Sequence, residues 1–283
     1  MSAVFLGSTF AVQGKRPSPR PLKKGILLSA FGTTLPEGGA AFKGMQHRVE
    51  NTFPGTDIRW AYSSRFVRTK LARAGQTVDS PEMMLARMMD EGFTHVAVLS
   101  LHVIPGAEYH DLVRNAGLFA RMTWGIERIE VARPLLSSHE DMVRVAGAML
   151  KTVPPKREPH EGVVFVGHGN ERHPADAIYC AMNGMVQELD PLAFVGTISG
   201  HPDLEKVVFR MKAKGVEKAY LVPLMTVAGD HARKDMAGDI PGSWKSVLAK
   251  NGIRCEPVLV GMVEHGEIVE IWLDHLRDAI ERL

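Results

Sequence analysis

Short runs of β-branched and aliphatic residues alternate along the chain with longer stretches in which apolar positions recur at three- and four-residue spacing. Continuous apolar runs predict strands buried on both faces, and their alternation with helical stretches predicts a parallel sheet covered by helices on either side. In the first half the pattern places strands at 25–31, 57–63, 95–103 and 127–133, with helices near 37–52, 81–91, 108–122 and 139–152. In the second it places strands at 162–167, 193–199, 217–226 and 254–260, with helices near 174–189, 202–214, 231–237, 242–251 and 266–282. The stretch VPPKREPHE at 153–161 breaks both periodicities with consecutive prolines and a cluster of charges. It divides the chain into two α/β domains, 23–153 and 162–264, each a four-stranded parallel sheet flanked by helices. Residues 1–22 read as an N-terminal extension, and the last helix, at 265–283, is expected to pack across onto the first domain.

The two halves repeat one another. Residues 96–108, VAVLSLHVIPGAE, align without a gap on 219–231, AYLVPLMTVAGDH, which sets Glu108 against His231. A second pair, ILLSAFGT at 26–33 and VVFVGHGN at 163–170, sets Phe31 against His168. HEDMV at 139–143 and HGEIV at 265–269 carry the match into the last helices, where His139 and His265 read as structural residues. Two related halves are expected to face each other across a cleft, and in open parallel sheets ligands bind beyond the carboxyl ends of the strands. Glu108, His168 and His231 all fall at such ends.

Composition narrows the function classes. A chain of 283 residues accommodates two domains of about 130 residues each. The formal charge of +2 gives no ground for a nucleic-acid or membrane-surface partner. No run approaches the ~20 apolar residues of a membrane span. VFLGSTFAV at 4–12 is short and has no basic residue before it, unlike an export signal, so the chain reads as cytoplasmic. Cys180 and Cys255 form no CxxC, which argues against a disulfide framework or a thiolate zinc site, and both read as buried thiols. The fifteen methionines read as core filler rather than a cofactor box.

Chemistry concentrates at the repeated strand ends. GHGN at 167–170 ends an apolar strand and sets His168 between two glycines, where the backbone turns sharply and leaves the imidazole uncovered. That histidine either caps the next helix or binds a borderline divalent metal such as Co, Ni, Fe or Zn. AGDHARKDM at 228–236 repeats the arrangement, with His231 between Asp230 and Asp235. A neighbouring carboxylate fixes the tautomer of a metal-binding histidine, although an Asp cap beside an exposed His gives the same pattern. PGAEYHD at 105–111 supplies Glu108 as a third ligand, a proton acceptor, or a first-turn acid favoured by the helix dipole. Two histidines and a carboxylate together suit a divalent transition metal with open coordination positions. HExxH, GxGxxG and GxxxxGK[ST] are all absent, so neither a zinc-protease helix nor a nucleotide loop is indicated.

In order along the chain, LLSAFGT, LSLHVIPGAEY, VFVGHGNERHPA, VGTISGHPDLE and PLMTVAGDHARKDMAGD resemble the motifs of the anaerobic cobaltochelatases of the CbiK type, within the ferrochelatase-like class II chelatases. The resemblance runs from about residue 24 to the C-terminus. It implies two flavodoxin-like halves around a tetrapyrrole cleft and ATP-independent insertion of Co(II) into sirohydrochlorin for cobalamin biosynthesis. His168 and His231 would then act at the metal as ligands and proton acceptors, with Glu108 beside them. Sirohydrochlorin is rich in carboxylates, which makes Arg65 at the end of the second strand a candidate for binding it, or else part of a solvated helix face. Members of the family often carry an acid and then a tyrosine in the GTxxGxP loop, where this chain has Ser199 and His201, and both join the substrate-binding candidates. No tightly bound cofactor is expected, Co(II) being a substrate. Insertion of Fe(II) for sirohaem and a non-catalytic tetrapyrrole or metal carrier are the alternatives. The state of association, monomer or homo-oligomer, is left open.

Overall fold

The computed structural model describes residues 20–283, and the extension read at 1–22 lies outside them except for its last three residues. The first half runs β1 (Lys24–Ala30), α1 (Pro36–Thr52), β2 (Asp57–Tyr62), α2 (Arg65–Arg73), α3 (Pro81–Asp90), β3 (His95–Ser100), α4 (Ala107–Phe119), β4 (Arg128–Val131) and α5 (His139–Lys151). The second runs β5 (Gly162–Gly167), α6 (Ala177–Leu189), β6 (Ala193–Thr197), α7 (Leu204–Ala213), β7 (Lys218–Leu224), α8 (Trp244–Lys250), β8 (Arg254–Pro257) and α9 (Gly266–Glu281). The strands form two four-stranded parallel sheets of identical topology, ordered β2-β1-β3-β4 and β6-β5-β7-β8. Helices start where small polar side chains satisfy a free backbone N–H. Ser80, Ser138, Asp203 and Ser243 do this at the starts of α3, α5, α7 and α8.

The internal repeat is carried into the hydrogen-bond register. Ser29 of β1 faces Ser100 of β3, and Val166 of β5 faces Pro223 of β7. The two sequence alignments map 29 on 166 and 100 on 223, so the two ladders are the same ladder built twice. β1 is buried from Gly25 onward and β5 along its whole length, as befits central strands covered on both faces. One apolar cluster runs through both halves, with Leu28 and Leu99 from the first sheet, Phe165 and Val222 from the second, and Trp272 and Leu276 from α9. α9 lies against β3, β4, α1 and α5 of the first half. It is held there by His275, 1% exposed, whose Nδ1 meets the Arg133 carbonyl and whose Nε2 meets the Asp141 carboxylate, each at 3.0 Å.

The strands expected at 95–103 and 217–226 stop at Ser100 and Leu224. Their neighbours β1 and β5 end at Ala30 and Gly167, which leaves no ladder to extend. The freed residues turn into the space between the sheets and line a cavity there. Helix α2 falls where the hydrophobic pattern indicated no helix, because Val67 and Leu71 are its only buried positions and two residues make no period. The helix expected at 231–237 is a π-helical turn, Ala232–Met236. Cys180, on α6, is exposed rather than buried. Cys255 is half-buried, and burial pushes its thiol up to about 12. No described helix is long and apolar enough to cross a membrane.

Candidate active site

β5 delivers His168 to the end of the second sheet. Gly167 lies so close to the ring of Tyr179 that a Cβ there would stand 2.4 Å from it, and Gly169 has φ +87°, a left-handed turn that favours glycine. Between them the His168 side chain is exposed to a cavity of about 390 Å³ at the carboxyl ends of both sheets. His231 comes to the same cavity from the loop after β7, at the start of the π-helical turn. The two rings meet edge-on, with centroids 4.6 Å apart and planes at 78°.

Both imidazoles are held in one tautomer. His168 Nδ1 lies 3.0 Å from the carbonyl oxygen of Gly169, and His231 Nδ1 lies 2.6 Å from Asp235 Oδ2. A carbonyl and a carboxylate only accept, so Nδ1 is the donor in each ring and Nε2 is left free as a lone-pair donor. This is the arrangement by which an outer carboxylate or carbonyl orients a metal-binding histidine.

Glu108, in the first turn of α4, lines the same cavity from the opposite half and is exposed. Among the described residues, no three His, Cys, Asp or Glu side chains lie close enough together to hold an ion as they stand. The structure brings His168 and His231 into contact and sets Glu108 on the facing wall. The lining is otherwise largely apolar, and Phe31 and Phe66, 47% and 73% exposed, stand on it as large uncovered rings. Phe31 is the residue that the repeat sets against His168, so equivalent strand ends carry an aromatic ring in one half and an imidazole in the other.

Ser199 lines the cavity, whereas His201 and Arg65 do not. His201 is exposed, with its Nδ1 3.7 Å from Asp203. Arg65 opens α2 and is exposed, and its neighbours Phe66 and Val67 contribute to the lining instead. Lys70, also on α2, reaches Asp230 at 3.7 Å, across the cleft and next to His231.

Two lining residues escaped the sequence reading. His102, just past β3, has Nδ1 2.8 Å from the Ser100 hydroxyl and a buried Nε2 with no partner among the described residues. Burial pushes its pKa down to about 4, against an opposing pull from Glu108, so it is a neutral imidazole. It stands inside LSLHVIPGAEY, and a polar residue directly after a buried strand was the signal for it. Arg172 is the one lysine or arginine on the lining and has no ion-pair partner among the described residues. No periodicity marks it, since it sits on an irregular loop.

Two parallel α/β halves of one topology, facing each other across a largely apolar cleft, are the fold of the chelatases. The fold matches that of the sirohydrochlorin chelatase SirB from Bacillus subtilis subspecies spizizenii, solved in complex with cobalt, with a TM-score of 0.63 at 16% identity over 92% of this chain and 97% of that one. The family model of the cobalt chelatases (CbiK) matches residues 24–281, and the chain belongs to that family. A sirohydrochlorin cobaltochelatase of Nitratidesulfovibrio vulgaris, CbiKC, is 44% identical over 261 residues, covering 92% of each chain. The sirohydrochlorin cobaltochelatase of Salmonella typhimurium is 34% identical over 265 residues, 92% of this chain and 97% of its own.

Proposed function

We propose that this protein inserts Co(II) into sirohydrochlorin, releasing the two pyrrole protons that the ion replaces. The observation that carries the reading is the His168–His231 pair, edge to edge at the mouth of a largely apolar cleft, with both Nε2 atoms free in a chain of the cobalt chelatase family. Two neutral imidazoles hold a divalent ion without the grip of an anionic cage, which suits an ion that must be handed on. Once the ion moves into the macrocycle, each freed Nε2 can accept a proton that the pyrroles lose. Glu108, on the facing wall and apart from the pair as the site stands, serves as the exit for those protons, or as third ligand only if it moves in on the bound ion.

Phe31 and Phe66 give the macrocycle an apolar bed, and Arg172 offers its carboxylates a guanidinium. Ser199 faces the same space without charge. Insertion without ATP and a cytoplasmic location belong to the same reading. The deciding experiment follows sirohydrochlorin absorbance with Co(II) and with Fe(II) in parallel. Catalytic turnover with Co(II) is expected. Turnover with Fe(II) alone would assign the protein to sirohaem synthesis, and stoichiometric binding without turnover would make it a carrier.

A further inference from the structure

The loops after β5 and β6, which bring His168 and Ser199 to the cavity, share a buried anchor that the reaction scheme above does not use. Asp176 closes the 3-10 turn Pro174–Asp176 ahead of α6 and is buried, with no ion-pair partner among the described residues. Its carboxylate accepts two backbone N–H groups instead, Asn170 to Oδ1 at 2.8 Å and His201 to Oδ2 at 2.7 Å. Asn170 lies two residues beyond His168 in the loop after β5. His201 lies two residues beyond Ser199 in the loop after β6. One carboxylate therefore fastens the ends of two adjacent strands to each other.

The fit is close enough to constrain the residues around it. A Cβ on Gly200 would stand 2.3 Å from Asp176 Oδ1, and one on Gly169 would stand 2.4 Å from the Ser199 carbonyl oxygen. Direct bonds complete the clamp, with the Ser199 N–H donating to the His168 carbonyl at 2.8 Å and the Glu171 N–H to the Ser199 carbonyl at 3.3 Å. The His168 ring belongs to the same frame, because its Nδ1 donates to the Gly169 carbonyl. Burying a carboxylate is costly unless hydrogen bonds compensate it, and here both oxygens are spent on the backbone that aims the imidazole.

We propose that Asp176 is a positioning residue for metal insertion, fixing the two loops as one rigid piece and thereby setting the place of the His168 ring over the cleft. The proposal rests on metal insertion as the activity of this site. A displacement of about 1 Å in a reacting group costs on the order of 10²-fold in rate, so a loosened clamp should register in kcat before it registers in substrate binding. Asp176→Asn keeps the volume but sets an amide NH2 against one of the two backbone donors, and Asp176→Ala releases both.

The expected result for Asp176→Asn is a cooperatively folded protein with kcat for Co(II) insertion reduced about 10–100-fold and KM for sirohydrochlorin within about twofold of wild type. The visible spectrum of Co(II) bound without the macrocycle should also change, because the His168 imidazole is reoriented. Gly200→Ala attacks the same contact from the other loop and should reproduce both effects if the Asp176 variants fail to fold. A lowered melting temperature with unchanged kcat per folded molecule and an unchanged Co(II) spectrum would overturn the proposal, leaving Asp176 a structural clasp. Should the wild type itself fail to insert Co(II), the activity reading falls, while the Co(II) spectra of wild type and variant still decide whether Asp176 positions His168.

Discussion

Asp235 offers the sharpest quantitative test of the site. Its carboxylate accepts from His231 Nδ1 at 2.6 Å and so presents Nε2 as the free lone pair. Removing an outer partner of this kind costs about 10–100-fold in metal affinity, or about 1.4–2.7 kcal/mol. The pair is partly solvent-exposed, with 49% of the His231 and 38% of the Asp235 side chain accessible, and water can replace part of what the carboxylate supplies. Screening of that kind favours the lower end of the range, about tenfold for Asp235→Ala. Asp235→Asn keeps an acceptor oxygen but loses the charge, and a smaller loss of about three- to fivefold follows from the lesser strength of a neutral hydrogen bond. Co(II) titration of the three proteins without macrocycle, read from the visible absorption of the bound ion, measures the series directly. The order wild type, Asn, Ala in falling affinity is expected, with Co(II) insertion declining in parallel. Three equal affinities would show that His231 does not bind the ion through Nε2, and the tautomer argument would fail with it.

Replacing His168 or His231 by alanine should abolish Co(II) insertion at neutral pH while the thermal unfolding transition stays cooperative, because both side chains are exposed to the cavity rather than packed in a core. Ser199→Glu should tighten resting Co(II) binding by adding a carboxylate to the lining, and equal affinities at pH 7.5 would place that loop away from the ion. Arg172→Ala should raise KM for sirohydrochlorin several-fold with kcat held, and Arg172→Lys should recover part of the loss, as measured by steady-state insertion kinetics. His275→Ala leaves the Asp141 carboxylate buried without its imidazole, and breaking a buried pair in this way costs about 3–5 kcal/mol, or roughly 6–20 °C in melting temperature. Burial pushes the Asp141 carboxyl up, but hydrogen bonds from His275, Ser138 and Ser137 outweigh it and hold the pKa below the ordinary value. Its contribution is therefore complete above the unfolded value of about 3.9 and is lost as pH falls through the lower folded value, so the stability gap between wild type and Asp141→Asn should close in acid.

Much of the fold was legible in the chain because its physical causes are local. Apolar runs mark strands covered on both faces, three- and four-residue spacing marks the helices between them, and the ungapped match of 96–108 with 219–231 reappears as identical strand register in the two sheets. The same match placed Glu108 and His231 beyond corresponding strands, and the glycines around His168 announced a sharp turn at a strand end. What stayed hidden depended on distance through space. That the His168 and His231 rings touch, while Glu108 stands on the facing wall, is set by how the two sheets pack, and no spacing along the chain encodes it. Arg65 and Phe66 are neighbours in sequence, yet only Phe66 lines the cavity, because the orientation of α2 decides which of its residues turns inward. His102 reads as one more polar residue after a strand until burial leaves its Nε2 without a partner among the described residues. Asp176 reads as an ordinary helix-start acid until two loops close over it. The sequence by itself determined which strand ends carry imidazole, carboxylate and aromatic groups, since residue type and local backbone preference lie in the chain. Only the tertiary structure decided which of them meet, because contacts between distant segments follow from how the two halves bury their common core.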